Sequence, residues 1–244
     1  EMAARYPLRV QGKVAEGAAQ YDQPGTPKFD AWFGDSKVVD SGGNPLVVYH
    51  GTKDDFTEFE MSKAGGETIG AWFTDDPGYA DWLNTKKRGD GAATMPAYLS
   101  LQNPMELDVE AEGRRIWQEM TDSGIERDEP TTQLEAQRFI ANSAGGSWDL
   151  AVMYYADDAQ SMGHDGLVIR NFNDGYGAPT TAYIAFKPEQ IKSAIGNNGN
   201  FDPANPSILE QQARGQIALG ADITQQSSII TLLQGADLST FTHE

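Results

Sequence analysis

Asn44-Pro45-Leu46-Val47-Val48-Tyr49-His50-Gly51-Thr52 joins the two demands that decide this fold, an apolar β-branched run and a polar exit. Leu46 to Tyr49, entered through an Asn-Pro breaker, reads as an interior strand. His50 stands at the end of that run, Gly51 lets a ligand approach the backbone and Thr52 braces the turn. Together they predict a hydrogen-bonding corner that faces a cleft. A surface turn with a satisfied histidine also fits the nonapeptide taken alone.

Working outward, residues 36–40 read as a short strand and Asp40-Ser41-Gly42-Gly43-Asn44 as a turn, so the two runs predict a hairpin. Phe29, Trp32 and Phe33 form an aromatic packing patch that opens the domain, and residues 1–28 read as an arm and linker. Beyond Thr52, residues 53–60 and 62–70 read as surface loop. Gly70-Ala71-Trp72-Phe73 then gives a short aromatic strand, and Thr74-Asp75-Asp76-Pro77 caps a helix over 79–85. Residues 95–101 predict another strand. From about 108 to 163 the signal is helical, with helices over 114–120, 132–142 and 148–161 forming an insertion or lid. Strands return at 166–170 and 181–186. An Asn/Gly/Pro-rich close ends the domain, taken as 29–206, and 207–244 reads as a carboxy-terminal helical segment with Ile229, Ile230, Leu232 and Leu233 available for packing.

The composition narrows the function. A chain of 244 residues with 39% hydrophobic content, five Trp, nine Tyr and ten Phe can bury one sizeable core. Its formal net charge of -18 opposes nucleic-acid backbones and anionic membranes as principal partners. There are no cysteines, and the three histidines (His50, His164, His243) lack ligand spacing, which argues against a metal centre. No apolar run reaches bilayer length and the amino end has no signal-peptide core, so a soluble protein is expected. The start at Glu1 and stop at Glu244 suggest a piece of something longer. Neither a Gly-x-Ser-x-Gly elbow nor a Walker-type loop is present. His164, in a turn before a strand, reads as structural. Phe241-Thr242-His243-Glu244 has the opening of a His-Glu-x-x-His zinc motif without its second histidine.

Three segments taken in order resemble a known family: Tyr49-His50-Gly51-Thr52, then Gly70-Ala71-Trp72-Phe73-Thr74-Asp75-Asp76-Pro77, then Tyr183-Ile184-Ala185-Phe186-Lys187-Pro188-Glu189-Gln190-Ile191-Lys192-Ser193-Ala194 with its Asn-x-Gly-x-Phe-Asp-Pro tail. They look like the ADP-ribosyltransferase domains of phage and mobile-element polyvalent proteins, relatives of the diphtheria-toxin and poly(ADP-ribose) polymerase branch. The resemblance implies an α+β fold with a split β-sheet core: two facing mixed sheets, a helical insertion and terminal helical extensions around an NAD cleft. NAD is then the substrate. His50 bonds the ribose, the Gly51 backbone pairs with the nicotinamide amide, and Thr52, Trp72, Phe73 and Thr74 complete the contacts, with Tyr79 or Trp82 as a second aromatic wall. Trp72 stands where tyrosine is usual, and ordinary core packing is its alternative reading.

Cleavage of the nicotinamide-ribose bond builds positive charge at the anomeric carbon, which a nearby carboxylate stabilises. The family carries a glutamate directly before the Tyr-Ile-x-Phe strand, where this chain has Ala182. That departure implies a chain that binds NAD but transfers poorly, by natural loss or by an introduced substitution. Gln190 recurs in the family's tail with a structural or acceptor-positioning role. Glu189 and Asp174 are alternative acids, and Lys192 reads as a brace. The expected function is mono-ADP-ribosyl transfer to a macromolecular acceptor, a host protein with a basic surface, by an enzyme in a bacterial host's cytoplasm or delivered with a virion. NAD-binding pseudo-enzyme, NAD glycohydrolase and structural phage virion module are the rival readings. The oligomeric state is not legible.

Overall fold

A computed structural model describes residues 24–52, 56–64, 67–88, 93–173, 176–195, 197, 201–208, 215–218 and 229–232. Most of the amino-terminal arm, Asp174 and the His243-Glu244 pair lie outside the described residues.

Helix α1 (Pro27–Phe33) starts where the Thr26 hydroxyl accepts from the Phe29 amide and Pro27 takes the first turn. It seats Phe29, Trp32 and Phe33 against Tyr98 and Phe201, so the aromatic patch is a small core of its own. Then follow β1 (Val48–Thr52), β2 (Ser62–Ala64), β3 (Glu67–Thr74), α2 (Pro77–Arg88), β4 (Ala93–Leu99) and β5 (Met105–Asp108). Three helices come next, α3 (Val109–Asp122), α4 (Gln133–Ser143) and α5 (Trp148–Ser161). They precede β6 (Gly166–Phe172), β7 (Thr180–Ala185), a 3-10 turn (Pro188–Gln190) and β8 (Ile191–Ser193).

These strands form one mixed sheet in the order β5-β6-β7-β3-β1-β4-β8, with β2 attached to β3. Only β5 and β6 run parallel, and a parallel pair needs a crossover of a dozen residues or more. The three helices are that crossover. Period-2 alternation assigns the faces: Ile169, Ala182 and Ile184 enter the helix-side core with Ile116, Ile140 and Val152, while Val168, Tyr183 and Ala185 enter the opposite core with Val48, Phe73 and Leu99. The α+β split core matches the family expectation in kind. Its two halves, however, are not separate sheets. They are joined through β1 and β3 at one register pair, Tyr49↔Thr74.

Other expectations change locally. The 36–40 strand is reduced to the bridge Val39↔Pro45 with a turn, and β1 begins at Val48 rather than Leu46. The supposed loop over 62–70 is β2 and the start of β3, an antiparallel pair polar enough to read as loop. In 207–244 the described pieces are the strands β9 (Gly215–Ala218) and β10 (Ile229–Leu232), paired antiparallel, where the sequence predicts helix. No helix of the described residues is long and apolar enough to cross a membrane.

The crossover is fastened by a charged cluster. The Arg115 guanidinium grips the Glu112 carboxylate with two bonds of 2.6 and 2.7 Å and also reaches Glu119, while the Tyr155 hydroxyl of α5 donates to Glu112 at 2.6 Å. Arg115 bonding, opposed by burial and helped by Tyr155, holds the Glu112 carboxyl below its ordinary 4.5. A depressed carboxylate contributes stability above the unfolded value that is lost as pH falls through the folded one. Tyr155→Phe is therefore expected to cost about 1–2 kcal/mol at pH 7. That difference from the parent protein should shrink in acid once Glu112 is protonated, as urea melts at pH 7 and below pH 4 will measure.

Candidate active site

β1 and β3 meet at Tyr49↔Thr74 and are not paired as strands beyond it. On one side β1 is held by β4 from Val48↔Ala97 to Thr52↔Ala93, and on the other β3 is held by β7 from Ala71↔Ala185 to Thr74↔Ala182. Two ribbons held on their outer edges and joined at one point leave a wedge between them. That wedge is a cleft of about 940 Å³, lined by residues 49–52 of β1 and 69–74 of β3 with walls from α2, α5 and β7. Its size lies toward the upper end of roughly 300–1,000 Å³ for small-molecule sites.

At the narrow end the His50 ring closes the gap. Its Nδ1 lies 2.7 Å from the Trp72 carbonyl oxygen. A carbonyl only accepts, so Nδ1 carries the proton and donates to it. Phe59 stands edge-on to the imidazole at 5.0 Å and Phe73 lies at 5.4 Å, and the two phenyl rings are 5.5 Å apart, so the three rings pack as one cluster. Gly51 and Thr52 continue along the same wall. Trp72 is half-buried, packs on the helix-side core and also lines the cleft. Phe73 and Thr74 are buried at 3% and 4% exposure yet touch the cleft, and the Thr74 hydroxyl accepts from the Asp76 amide to shape the entry to α2. Asp76 caps that helix through bonds from the Gly78 and Tyr79 amides.

Of the two candidates for a second aromatic wall, Tyr79 lines the cleft and Trp82 does not. Trp82 stacks behind Tyr79 at 5.9 Å, and the cation on its face is the chain's own Lys86, 5.8 Å from the ring centroid. Ala182 sits on the cleft wall, 3% exposed, paired with Thr74 on one side and Ile169 on the other. Its neighbour Tyr183 points to the opposite core. Burial and the Asp75 carboxylate push that phenol up to about 12, so it stays neutral.

Gln190 requires a correction, because it is not on the cleft. Its amide nitrogen donates to the carbonyls of Ser100 and Asp165 and its oxygen accepts from the Lys187 amide, which makes it a brace between the 3-10 turn and two strand connections. Glu189 is likewise absent from the lining. Lys192 is fully buried and donates to the carbonyls of Asn205 and Ser207, and His164 bonds the Asn103 carbonyl, both as braces.

The sequence reading misses several wall residues. Phe56, Glu58, Phe59 and Glu60 come from the supposed surface loop, tied down where the Thr57 carbonyl accepts from the Ile208 amide. Trp148 and Asp149 come from the start of α5, and Asn84 from α2. The aromatic spacing Phe56-x-x-Phe59 was an available signal, whereas nothing local marks Asn84. Among the described residues the lining holds the acids Glu58, Glu60 and Asp149 and no Lys or Arg.

Gly51 is constrained on its helix-facing side. A Cβ there would fall 2.0 Å from Asn84 Oδ1 and 2.6 Å from Asn84 Cγ. Gly51→Ala is expected to destabilise the fold by about 1–3 kcal/mol through overpacking. Because the clash is with the Asn84 side chain, Gly51→Ala combined with Asn84→Ala should cost less than the sum of the two single variants, as chemical denaturation of all three will check.

The family model described as ADP-Ribosyltransferase in polyvalent proteins matches residues 40–201, a span that contains the cleft walls and the whole helical crossover. Among curated proteins and solved structures nothing matches the chain. With well over half its length under that one match, the chain belongs to the ADP-ribosyltransferase family of polyvalent proteins.

Proposed function

We propose that the wedge between β1 and β3 takes NAD, and that the domain transfers its ADP-ribose to a protein acceptor when a carboxylate stands at position 182. ADP-ribosyl transfer is the general function of the family. The supporting observation for this site is that His50, Trp72 and Ala182, from three segments far apart in sequence, line one cleft. Nicotinamide lies between Trp72 and Tyr79, His50 hydrogen-bonds the ribose, and the Gly51 backbone meets the carboxamide. The acidic lining suits the cationic nicotinamide ring and the positive charge that grows at the anomeric carbon as that ring leaves. The same field, with a net charge of -18, favours a basic protein surface as acceptor.

Ala182 supports a second reading for the chain as it stands, an NAD-binding domain that turns over poorly. The binding walls are intact without a carboxylate, so binding and chemistry separate. At NAD one hundred times its Kd the protein should gain about 2.7 kcal/mol, or roughly 5–10 °C in Tm. Ala182→Glu should raise transfer of labelled ADP-ribose by about 10²–10³-fold. Nicotinamide release without labelled protein would instead select hydrolysis. An unshifted Tm at saturating NAD would remove the NAD assignment.

A further inference from the structure

The helical crossover carries a second hollow that shares no residue with the cleft. It is an open groove of about 470 Å³ lined by Ile116, Met120, Ile125 and Tyr155, with Arg115 and Glu119 among its polar residues. Ile125 is 47% exposed and fixed in place. Gly124, at φ 82, lets its own amide bond the Thr121 carbonyl while the Ile125 amide bonds the Met120 carbonyl, both at 2.9 Å. This is a Schellman turn, which sets the residue after the glycine against the last turn of α3. The turn uses part of the Ile125 side chain and leaves nearly half of it in water. A large apolar group already held in one place loses little order when a partner covers it.

Charge indicates what covers it. Residues 108–163 hold twelve acids against four bases, so under a quarter of the chain carries -8 of its -18. Two of those bases, Arg114 and Arg115, are bridged to Glu110, Glu112 and Glu119. Asp122 and Glu126 flank Ile125 in sequence, and Asp158 lies one turn from Tyr155 on α5, all three exposed. A second copy would bring the same acidic face, and residues 209–244 of the chain have four acids against Arg214 alone, so neither supplies the opposite sign. We propose that this groove docks an amphipathic, lysine- or arginine-bearing helix of the protein acceptor. An apolar side chain of that helix seats on Ile116, Met120 and Ile125, and its cations face Asp122, Glu126 and Asp158. The acceptor role rests on the proposed transfer of ADP-ribose. Tyr155 stands seven residues beyond Trp148 of the cleft wall, on the same face of α5 and about 10 Å along it. Three or four extended residues cover that distance, so a segment anchored in the groove brings a neighbouring side chain to the cleft and leaves the cleft itself to the donor.

The probe is a labelled peptide with leucines at i, i+3, i+4 and i+7 and lysines between them, titrated with the whole chain by fluorescence anisotropy. A peptide of the same composition in scrambled order should bind at least about tenfold more weakly. Ile125→Ser, and separately Glu126→Lys with Asp158→Lys, should each weaken the ordered peptide about tenfold, with thermal melts establishing that the variants are folded. In the Ala182→Glu protein, Ile125→Ser should lower labelling of a lysine-rich histone mixture about tenfold and leave nicotinamide release without histone unchanged. Equal binding of the two peptides, or binding untouched by the groove substitutions, reduces the attraction to diffuse charge and overturns the proposal. Self-association of the chain that Ile125→Ser abolishes would make a second copy the occupant and also overturn it. So would peptide binding that tightens on Arg5→Glu, Arg9→Glu and Lys13→Glu together, which assigns the groove to the chain's own amino-terminal arm. Histone labelling equal with and without Ile125→Ser removes the acceptor role. If the parent protein binds no NAD, the donor reading fails and takes the acceptor role with it, while the peptide titration still decides the groove.

Discussion

One pairing governs the site. Tyr49 and Thr74 are the only register partners between β1 and β3, and each strand is otherwise committed to a neighbour on its outer edge. Had the two paired along their length, the backbone of residues 50–52 and 70–73 would be spent on a ladder and the sheet would present no cavity. Splitting instead opens the interior of a sheet, where side chains are already fixed by core packing, to a ligand. The cost of leaving the inner edges apart is limited by His50, which bridges to the Trp72 carbonyl at the narrow end, and by the packing of its ring against Phe59 and Phe73. The walls from β1, β3 and β7 are thereby held by the sheet, while the 56–60 segment adds Phe56, Glu58, Phe59 and Glu60 from outside the named strands.

The elements around the wedge serve its two halves differently. The half formed by β1, β4 and β8 is braced from the carboxy-terminal side, where buried Lys192 holds the 205–207 backbone and Ile208 holds Thr57. That chain of contacts ends at Glu58 and Phe59 on the cleft wall. The other half is braced by the crossover helices, whose Arg115-Glu112-Tyr155 cluster ties α3 to α5 and so fixes Trp148 and Asp149 at the opposite wall. The shape of the cleft thus depends on contacts distant from it, which is why small changes in either brace propagate to the mouth.

The sequence carried the strand exit at His50, the capped start of α2 and the length of the helical middle because each has a local signature. An apolar run stops at a polar residue, Asp76 and Pro77 form a cap, and α5 matches its predicted span residue for residue. It did not carry β2 and the start of β3, because Ser62-Lys63-Ala64 and Glu67-Thr68 are polar residues at a sheet edge and lack period-2 contrast. β5 was missed because its last residue, Asp108, is also the cap of α3, so strand and helix signals overlap. Of the two roles the motif left open for Gln190, its bonds to Ser100 and Asp165 fit the structural one, and they span 90 and 25 residues, beyond the reach of a local signal. Asn84 reads as an ordinary helix residue for the same reason, since its meaning comes from Gly51, thirty-odd positions away.

On the proposed reading of the cleft, position 182 matters to the chemistry and not to the fold. A carboxylate there would stand at a position now 3% exposed, where burying charge is unfavourable. Alanine is what core packing alone prefers at a position hydrogen-bonded between β3 and β6, and it leaves both ladders intact. The binding walls do not need the carboxylate either, because Phe73 and Tyr79 are held by the cores and His50 by backbone. On the proposed reading a carboxylate at 182 would act only in the transition state, and a residue of that kind is the one most easily lost without loss of fold.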